Sequence, residues 1–235
     1  MPASTPAPTH LLPALCTNAW FAGCPSAFQQ ALLARGRVWQ LADGEALFSR
    51  GGAAEGLCCV LAGALQVGAL QADGGRTLLA WLEPYQWFGE ISMLDGLPRT
   101  HDAVADGPAT VLVVPQAELQ GWLAEHPPHW QHVGRLACGK LRLLFTVLED
   151  IQRLTLEQRL AKRLCLAAQG FERDAPPRRR LRLPQEQLAL MLGVSRQTVN
   201  KALRQLESQG LLALRYGEIE LLDTPGLQAL AEPSR

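Results

Sequence analysis

The 235-residue sequence predicts an α+β chain: an all-β roll, one long helix, and a helical C-terminal unit closed by a β-hairpin. Three observations predict it. From Val38 to Pro115 short apolar runs alternate with the turn signals Asp43-Gly44, Gly51-Gly52, Gly63, Asp73-Gly74-Gly75 and Asp106-Gly107, the punctuation of short antiparallel strands. From His129 to about Leu154 proline is absent and apolar residues recur at helical spacing. Two short apolar-faced segments then flank Leu192-Gly193-Val194-Ser195, and Leu211–Leu222, broken at Tyr216-Gly217, reads as a hairpin.

Taken in order, residues 1–28 read as a loose Pro- and Ala-rich tail, Met1–Pro13, followed by a short helix. Residues 29–127 form the roll. Within it Val60–Val67 reads as two strands around a tight Ala62-Gly63 turn, and Val111–Val114 as a strand buried on both faces. Gln116–Glu125 is a short helix that Pro127-Pro128 ends, the same prolines starting the next. Residues 128–154 carry two apolar stripes, Val133, Ala137, Leu141, Leu144, Leu148, Ile151 and Leu136, Leu143, Val147, Leu154. A helix apolar on two faces buries both. One face packs on the roll; the other is covered inside a monomer or, given its near-heptad spacing, by the same helix of a second subunit. Residues 155–235 hold a helix over Thr155–Gly170, a basic connector over Arg173–Arg182 with Pro176-Pro177, then the two short helices and the hairpin.

Hydrophobic residues make up 48% of the chain, enough for sizeable cores, which excludes a disordered polypeptide. No apolar run approaches the roughly 18 residues of a membrane span, and the first twenty residues carry no Lys or Arg, unlike a secretory signal. A cytoplasmic chain without membrane contact is expected. Cysteines 16, 24, 58, 59, 138 and 165 form no C-x-x-C pair; Cys58 and Cys59 point to opposite faces of one strand, so packed, reduced thiols are expected. His126, His129 and His132 recur every third residue, as a metal set or as a Pro-flanked solvated surface. Between Val38 and Pro115 the only histidine is His101, too few ligands for a cupin-type metal enzyme. No nucleophile–base signature or Walker loop occurs, so no catalytic residue and no metal site is assigned.

Net charge is zero, but its distribution is uneven. Residues 1–155 hold 9 bases and 13 acids; residues 156–235 hold 13 bases and 9 acids. Between 176 and 206 stand Arg178, Arg179, Arg180, Arg182, Arg196, Lys201 and Arg204 against Glu186 alone. Polyanion binding is expected there or nowhere, the alternative being a solvated basic face. The pattern inside this stretch favours double-stranded DNA. Gly193 permits a sharp turn between helices, Ser195 is a good N-cap, and Val199, Leu203 and Leu206 form an inward stripe. Arg196, Gln197, Asn200, Lys201 and Arg204 fall outward, where Arg and Gln can read guanine and adenine. Ser195 and Thr198 can contact phosphates.

A second constellation is Trp87–Ala103. Gly89 allows close backbone approach, Ile91–Leu94 is one helical turn with free amides, Arg99 brings a fixed charge, Thr100 a hydroxyl, and Glu90 an acceptor for a sugar hydroxyl. Amides, Arg and Thr together make a phosphate cradle. The alternative is an internal strut in which Arg99 pairs with Glu90 across an empty roll.

The motif Val194-Ser195-Arg196-Gln197-Thr198-Val199-Asn200-Lys201, together with Gly89-Glu90 and Pro98-Arg99-Thr100, resembles the Crp/Fnr superfamily of bacterial regulators, over roughly residues 30 to 225. The resemblance implies a double-stranded β-helix of jelly-roll type that binds a cyclic nucleotide, a long dimerisation helix and a winged helix-turn-helix. It implies base reading by Arg196, Gln197 and Lys201. It implies a ligand site in which Glu90 takes the ribose 2′-hydroxyl, Arg99 and Thr100 the cyclic phosphate, with Gly89, Ile91 and Ser92 in the cassette and Leu82 and Phe88 on the base side. Two departures stand out. Gln197 replaces the Glu of many members. Where cyclic-AMP receptors offer a Thr-Ser pair to adenine, this chain has Leu144 and Phe145, with Thr146 next. Cyclic AMP, cyclic GMP, a cyclic dinucleotide, another anion, no effector or a redox-responsive sensor domain all remain open. Expected partners are a palindromic operator in a homodimer, a small-molecule effector, and RNA polymerase. A nucleotide-binding regulatory protein acting by protein contacts is the other class, disfavoured by the basic helix-turn-helix.

Overall fold

The computed structural model describes residues 5–6, 9–70, 76–169, 179–181, 183–215 and 218–232. The turn at 73–75, most of the 173–182 connector and the hairpin tip at 216–217 lie outside the described residues. The chain divides into two compact units, 1–141 and 142–235.

The first unit opens with β1 (Thr5–Pro6) and three helices, α1 (Leu12–Leu15), α2 (Ala19–Ala22) and α3 (Ser26–Arg35). Strands β2 (Arg37–Leu41), β3 (Ala46–Phe48), β4 (Gly56–Leu70), β5 (Arg76–Leu82) and β6 (Trp87–Phe88) follow. Helix α4 (Glu90–Asp95), strand β7 (Asp102–Pro115), helix α5 (Gln116–Glu125) and helix α6 (Trp130–Arg153) come next. All strand pairs are antiparallel; β4 and β7 pair with each other, β7 also with β2 and β3, β4 also with β5 and β6. Two long strands that each serve several short ones curl the sheet into a roll.

Alternation along β4 and β7 builds two cores at once. Cys58, Val60, Val111 and Val113 face the roll interior with Phe48, Leu65, Leu82 and Phe88. Leu57, Cys59, Leu112 and Val114 face the helices, against Leu15, Phe21, Phe28, Leu119, Leu123 and Val133. Period-two geometry explains why 111–114 is apolar throughout, and each such side chain contributes about 1.5–3 kcal/mol. The turn expected at Ala62-Gly63 is instead a bulged stretch of one continuous strand. Pairing with β7 shifts register from Val60 to Ala64, and Gly63 takes φ 74°. A Cβ there would fall 2.4 Å from the Pro108 carbonyl oxygen, so glycine lets β4 bend without breaking.

The histidines expected at a solvated surface form part of a ring stack. His126 stacks on Trp122, with ring centres 4.3 Å apart, and His129 on Phe28. His132 is buried, and its backbone oxygen accepts from Trp20 Nε1 at 2.7 Å. Burial, then His129 and Arg135, holds the His132 imidazole below its usual range. Among the described residues no group of His, Cys, Asp and Glu is arranged to hold a metal, and no helix is long and apolar enough to cross a membrane. Four of the six thiols are buried and only Cys138 is exposed. Burial pushes the Cys24 thiol up to about 11 and the Cys58 thiol up to about 12, which keeps both unreactive.

The second unit holds the end of α6, then α7 (Leu156–Gln169), β8 (Arg180–Leu181), α8 (Gln185–Leu192), α9 (Arg196–Ser208), β9 (Leu212–Arg215), β10 (Glu218–Leu221) and α10 (Thr224–Ala231). The three strands run β8-β10-β9, antiparallel. One core joins Leu160 and Leu164 to Leu188, Val199, Leu203, Leu206, Ile219 and Leu227. The corner after α6 is braced. Thr155 and Gln158 exchange capping bonds of 2.9 and 3.3 Å, and Lys162 reaches back to Asp150 at 2.7 Å.

Candidate effector and nucleic-acid sites

The cassette of the first unit is built on two glycines. Gly89, at φ 93°, precedes α4, and a Cβ there would fall 2.6 Å from the Gly56 carbonyl oxygen and 2.8 Å from Arg99 Nη1. The missing side chain lets the Arg99 guanidinium lie flat against the backbone. Arg99 is 4% exposed. Its Nη2 donates to Gly56 O at 2.7 Å, its Nη1 to Gly89 O at 3.3 Å, and its Nε to Glu55 Oε2 at 3.2 Å. Its Cζ sits 4.1 Å from the Phe48 ring centre. Three guanidinium N–H bonds are thus aimed by protein oxygens, and the same group also meets the Cys58 thiol.

The strut between Arg99 and Glu90 considered from the sequence is not what forms. Glu90, 2% exposed, pairs with Lys140 Nζ of α6 at 2.8 Å. A cation from the long helix reaches into the cassette, so roll and helix share a charge pair within this unit. Leu82 and Phe88 are buried in the roll and Ser92 is buried in α4, while Ile91 and Thr100 are exposed. The Thr100 hydroxyl lies 2.9 Å from His101 Nδ1. Thr146 belongs to the second unit, exposed, its hydroxyl donating to Arg142 O at 3.1 Å.

Sequence reasoning missed Glu55, Gly56 and Lys140. No local signal marks them, since Arg99 is 44 and Glu90 50 residues from its partner. Removing the Lys140 ammonium leaves a buried carboxylate uncompensated. Lys140→Ala is expected to lower stability by about 1–2 kcal/mol, the lysine's partial exposure screening part of the pair. Lys140→Arg restores it. An unchanged urea midpoint in the alanine variant would show that the pair carries no such weight.

In the second unit Gly193 caps α8 at φ 68°, and the Val194 amide donates back to Ala189 O at 3.0 Å. Ser195 caps α9, its Oγ accepting from the Thr198 amide at 3.1 Å and lying 2.8 Å from Thr198 Oγ1. Val199, Ala202, Leu203 and Leu206 are buried, whereas Arg196, Gln197, Thr198, Lys201 and Arg204 are exposed. Asn200 is half-buried and bonded to Gln185 and Arg204. The arrangement is a helix-turn-helix with a hairpin beside it and a polar, basic outer face on its second helix.

The model of the cyclic nucleotide-binding domain matches residues 38–126, and that of the Crp-like helix-turn-helix domain matches residues 158–230. The chain belongs to the Crp/Fnr superfamily. This Crp/Fnr chain is a transcriptional regulator with a cyclic nucleotide-binding and a helix-turn-helix domain. It is 29% identical over 186 residues to a CRP-like cAMP-activated global transcriptional regulator of Mycobacterium tuberculosis, covering 78% of this chain and 83% of the relative. It is 26% identical over 190 residues to the cyclic AMP receptor protein of Thermus thermophilus, covering 80% and 85%. The structure of FixK2 from Bradyrhizobium japonicum shares the fold, with TM-score 0.74 and 23% identity over 85% of this chain and 99% of that one.

Proposed function

We propose that this Crp/Fnr regulator is a homodimer that reads a palindromic operator in response to a phosphate-bearing effector, a cyclic nucleotide or cyclic dinucleotide. The observation that carries the reading is the Glu90–Lys140 pair at 2.8 Å beside buried Arg99. An effector whose sugar hydroxyl engages Glu90 and whose phosphate meets the Arg99 guanidinium competes with Lys140, and so acts on α6 directly. Ligand then biases the dimer only by binding one arrangement better than the other. Because Thr155, Gln158 and Lys162 brace the corner after α6, the helix end and α7 shift together. The active arrangement sets the two α9 helices about 34 Å apart, the spacing of successive major grooves. The division of labour is residues 29–127 for sensing, 128–154 for pairing and 155–235 for DNA, with RNA polymerase contacted from the bound dimer.

The test is calorimetric titration of the full-length protein with cyclic AMP, cyclic GMP and cyclic di-GMP, alone and with promoter duplex. One effector that both binds and tightens DNA binding is expected. A second reading, a ligand-free roll that serves as scaffold, draws on the three donors Arg99 already spends within the protein. No heat with any nucleotide and unaltered DNA binding would favour it. Base reading has its own check. Arg196→Ala is expected to relax preference at one operator position, at a cost of about 1–3 kcal/mol, measured against a panel of single-base operator variants. Equal weakening on every variant would make Arg196 a phosphate contact instead.

A further inference from the structure

We infer that Arg204 is a DNA-contacting cation of this regulator and that Asn200 is the positioning residue that aims it, rather than a base reader in its own right; the inference rests on the DNA-binding reading above. The buried residues of α9 are Val199, Ala202, Leu203 and Leu206. At 100° per residue, the row diametrically opposite them is Gln197, Lys201, Arg204 and Ser208. All four are exposed. Arg204 therefore stands in line with Gln197 and Lys201, to which the family resemblance gives base reading. Asn200 falls on the flank between that row and the buried one, on the side of α8, and is half-buried.

Both polar atoms of the Asn200 side chain are in use. Its Nδ2 donates to Gln185 Oε1 at the start of α8, 3.0 Å away, and its Oδ1 accepts from Arg204 Nε, also at 3.0 Å. An adenine edge needs one donor and one acceptor from an amide at the same time; Asn200 keeps a second N–H and a second lone pair, but its two bonds hold the amide between Gln185 and Arg204 instead of leaving it free to turn to a base edge. The same bonds fix the Arg204 guanidinium. With Nε occupied and the residue exposed, its two terminal amino groups remain as a planar fork suited to a phosphate. Arg204 lies eight residues along the helix from Arg196, about 12 Å. That matches the roughly 12 Å width of the major groove. When the first turn of α9 reads base edges near one wall, Arg204 meets the backbone at the other.

The predicted signature is electrostatic and independent of sequence. A duplex selected on the full-length protein from a random-sequence pool, with and without cyclic AMP, serves as the probe. Arg204→Ala is expected to weaken binding roughly tenfold on the selected duplex and on its single-base variants alike, and to reduce the slope of log K against log salt by about 1. Asn200→Ala is expected to reproduce part of that loss, and to have no further effect in the Arg204→Ala background, because its contribution runs through Arg204. Melting curves identify any variant that fails to fold, and the exposed Arg204 supplies the slope measurement in any case. An unchanged salt slope in Arg204→Ala, or a loss of discrimination at one base pair in Asn200→Ala that persists without Arg204, overturns the assignment. A wild-type chain that binds no duplex overturns the regulator reading itself, which separates the two failures.

Discussion

Arg99→Ala is expected to lower the melting temperature by about 10 °C. The side chain is 4% exposed and satisfies the carbonyls of Gly56 and Gly89 while bonding the Glu55 carboxylate. Truncation leaves two carbonyl oxygens short of a donor and removes a cation from the face of Phe48. Glu55 keeps only part of its hydration, and solvent screening trims its share. The sum is about 3 kcal/mol, at roughly 2–4 °C per kcal/mol for a chain of this length. From the sequence, Arg99 reads as a charge for a phosphate or as half of a strut with Glu90. The structure makes it a structural residue as well, so a lost effector response in this variant must be read beside its melting curve. A variant that melts with the wild type would mean that these bonds contribute little, and that Arg99 serves ligand alone.

A double substitution on α6 has the larger effect on DNA. Leu144→Glu with Leu148→Glu is expected to convert a dimer into a monomer on sedimentation and to weaken operator binding by at least about 100-fold, since two linked half-sites become one. Leu141, Leu144, Phe145, Leu148 and Ile151 are each 50–58% exposed in the single chain. They fall on one side of α6, with Leu141 and Leu148 seven residues apart and Leu144 and Ile151 likewise. A contiguous apolar face of this kind on a soluble helix marks an association surface, and heptad spacing matches a second copy of the same helix. Because both leucines are more than half exposed in the single chain, far-UV circular dichroism should be little changed. Dimeric mass and wild-type operator affinity in the double variant would remove α6 from the subunit contact.

Element order, the helix-turn-helix and the cassette were legible in the sequence because their signals are local. Gly193 and Ser195 set the turn and cap through their own backbone preferences. The unbroken apolar run 111–114 states that both faces are covered without saying by what. The exposed half of α6 was equally plain as a stripe, while the burial of Val133 and Leu136 at its start divides that stripe between the roll and the open face. Local pattern misled at Gly63, where a glycine that marks a turn in a short window marks a bulge in a 15-residue strand. It misled again at His132, where polar flanks concealed a place in an aromatic stack.

Residue order alone sets which chemical groups each site can use: a guanidinium, a carboxylate and a hydroxyl in the cassette, and a basic outer face on α9. Their partners came from packing. Arg99 turned to Glu55 and Gly56, Glu90 to Lys140, and Asn200 to Gln185. The physical reason is range. Propensity, capping and periodicity act over a few residues, whereas the partner of a buried polar group is whichever acceptor or donor the packed chain brings within about 3 Å, often from an element dozens of residues away.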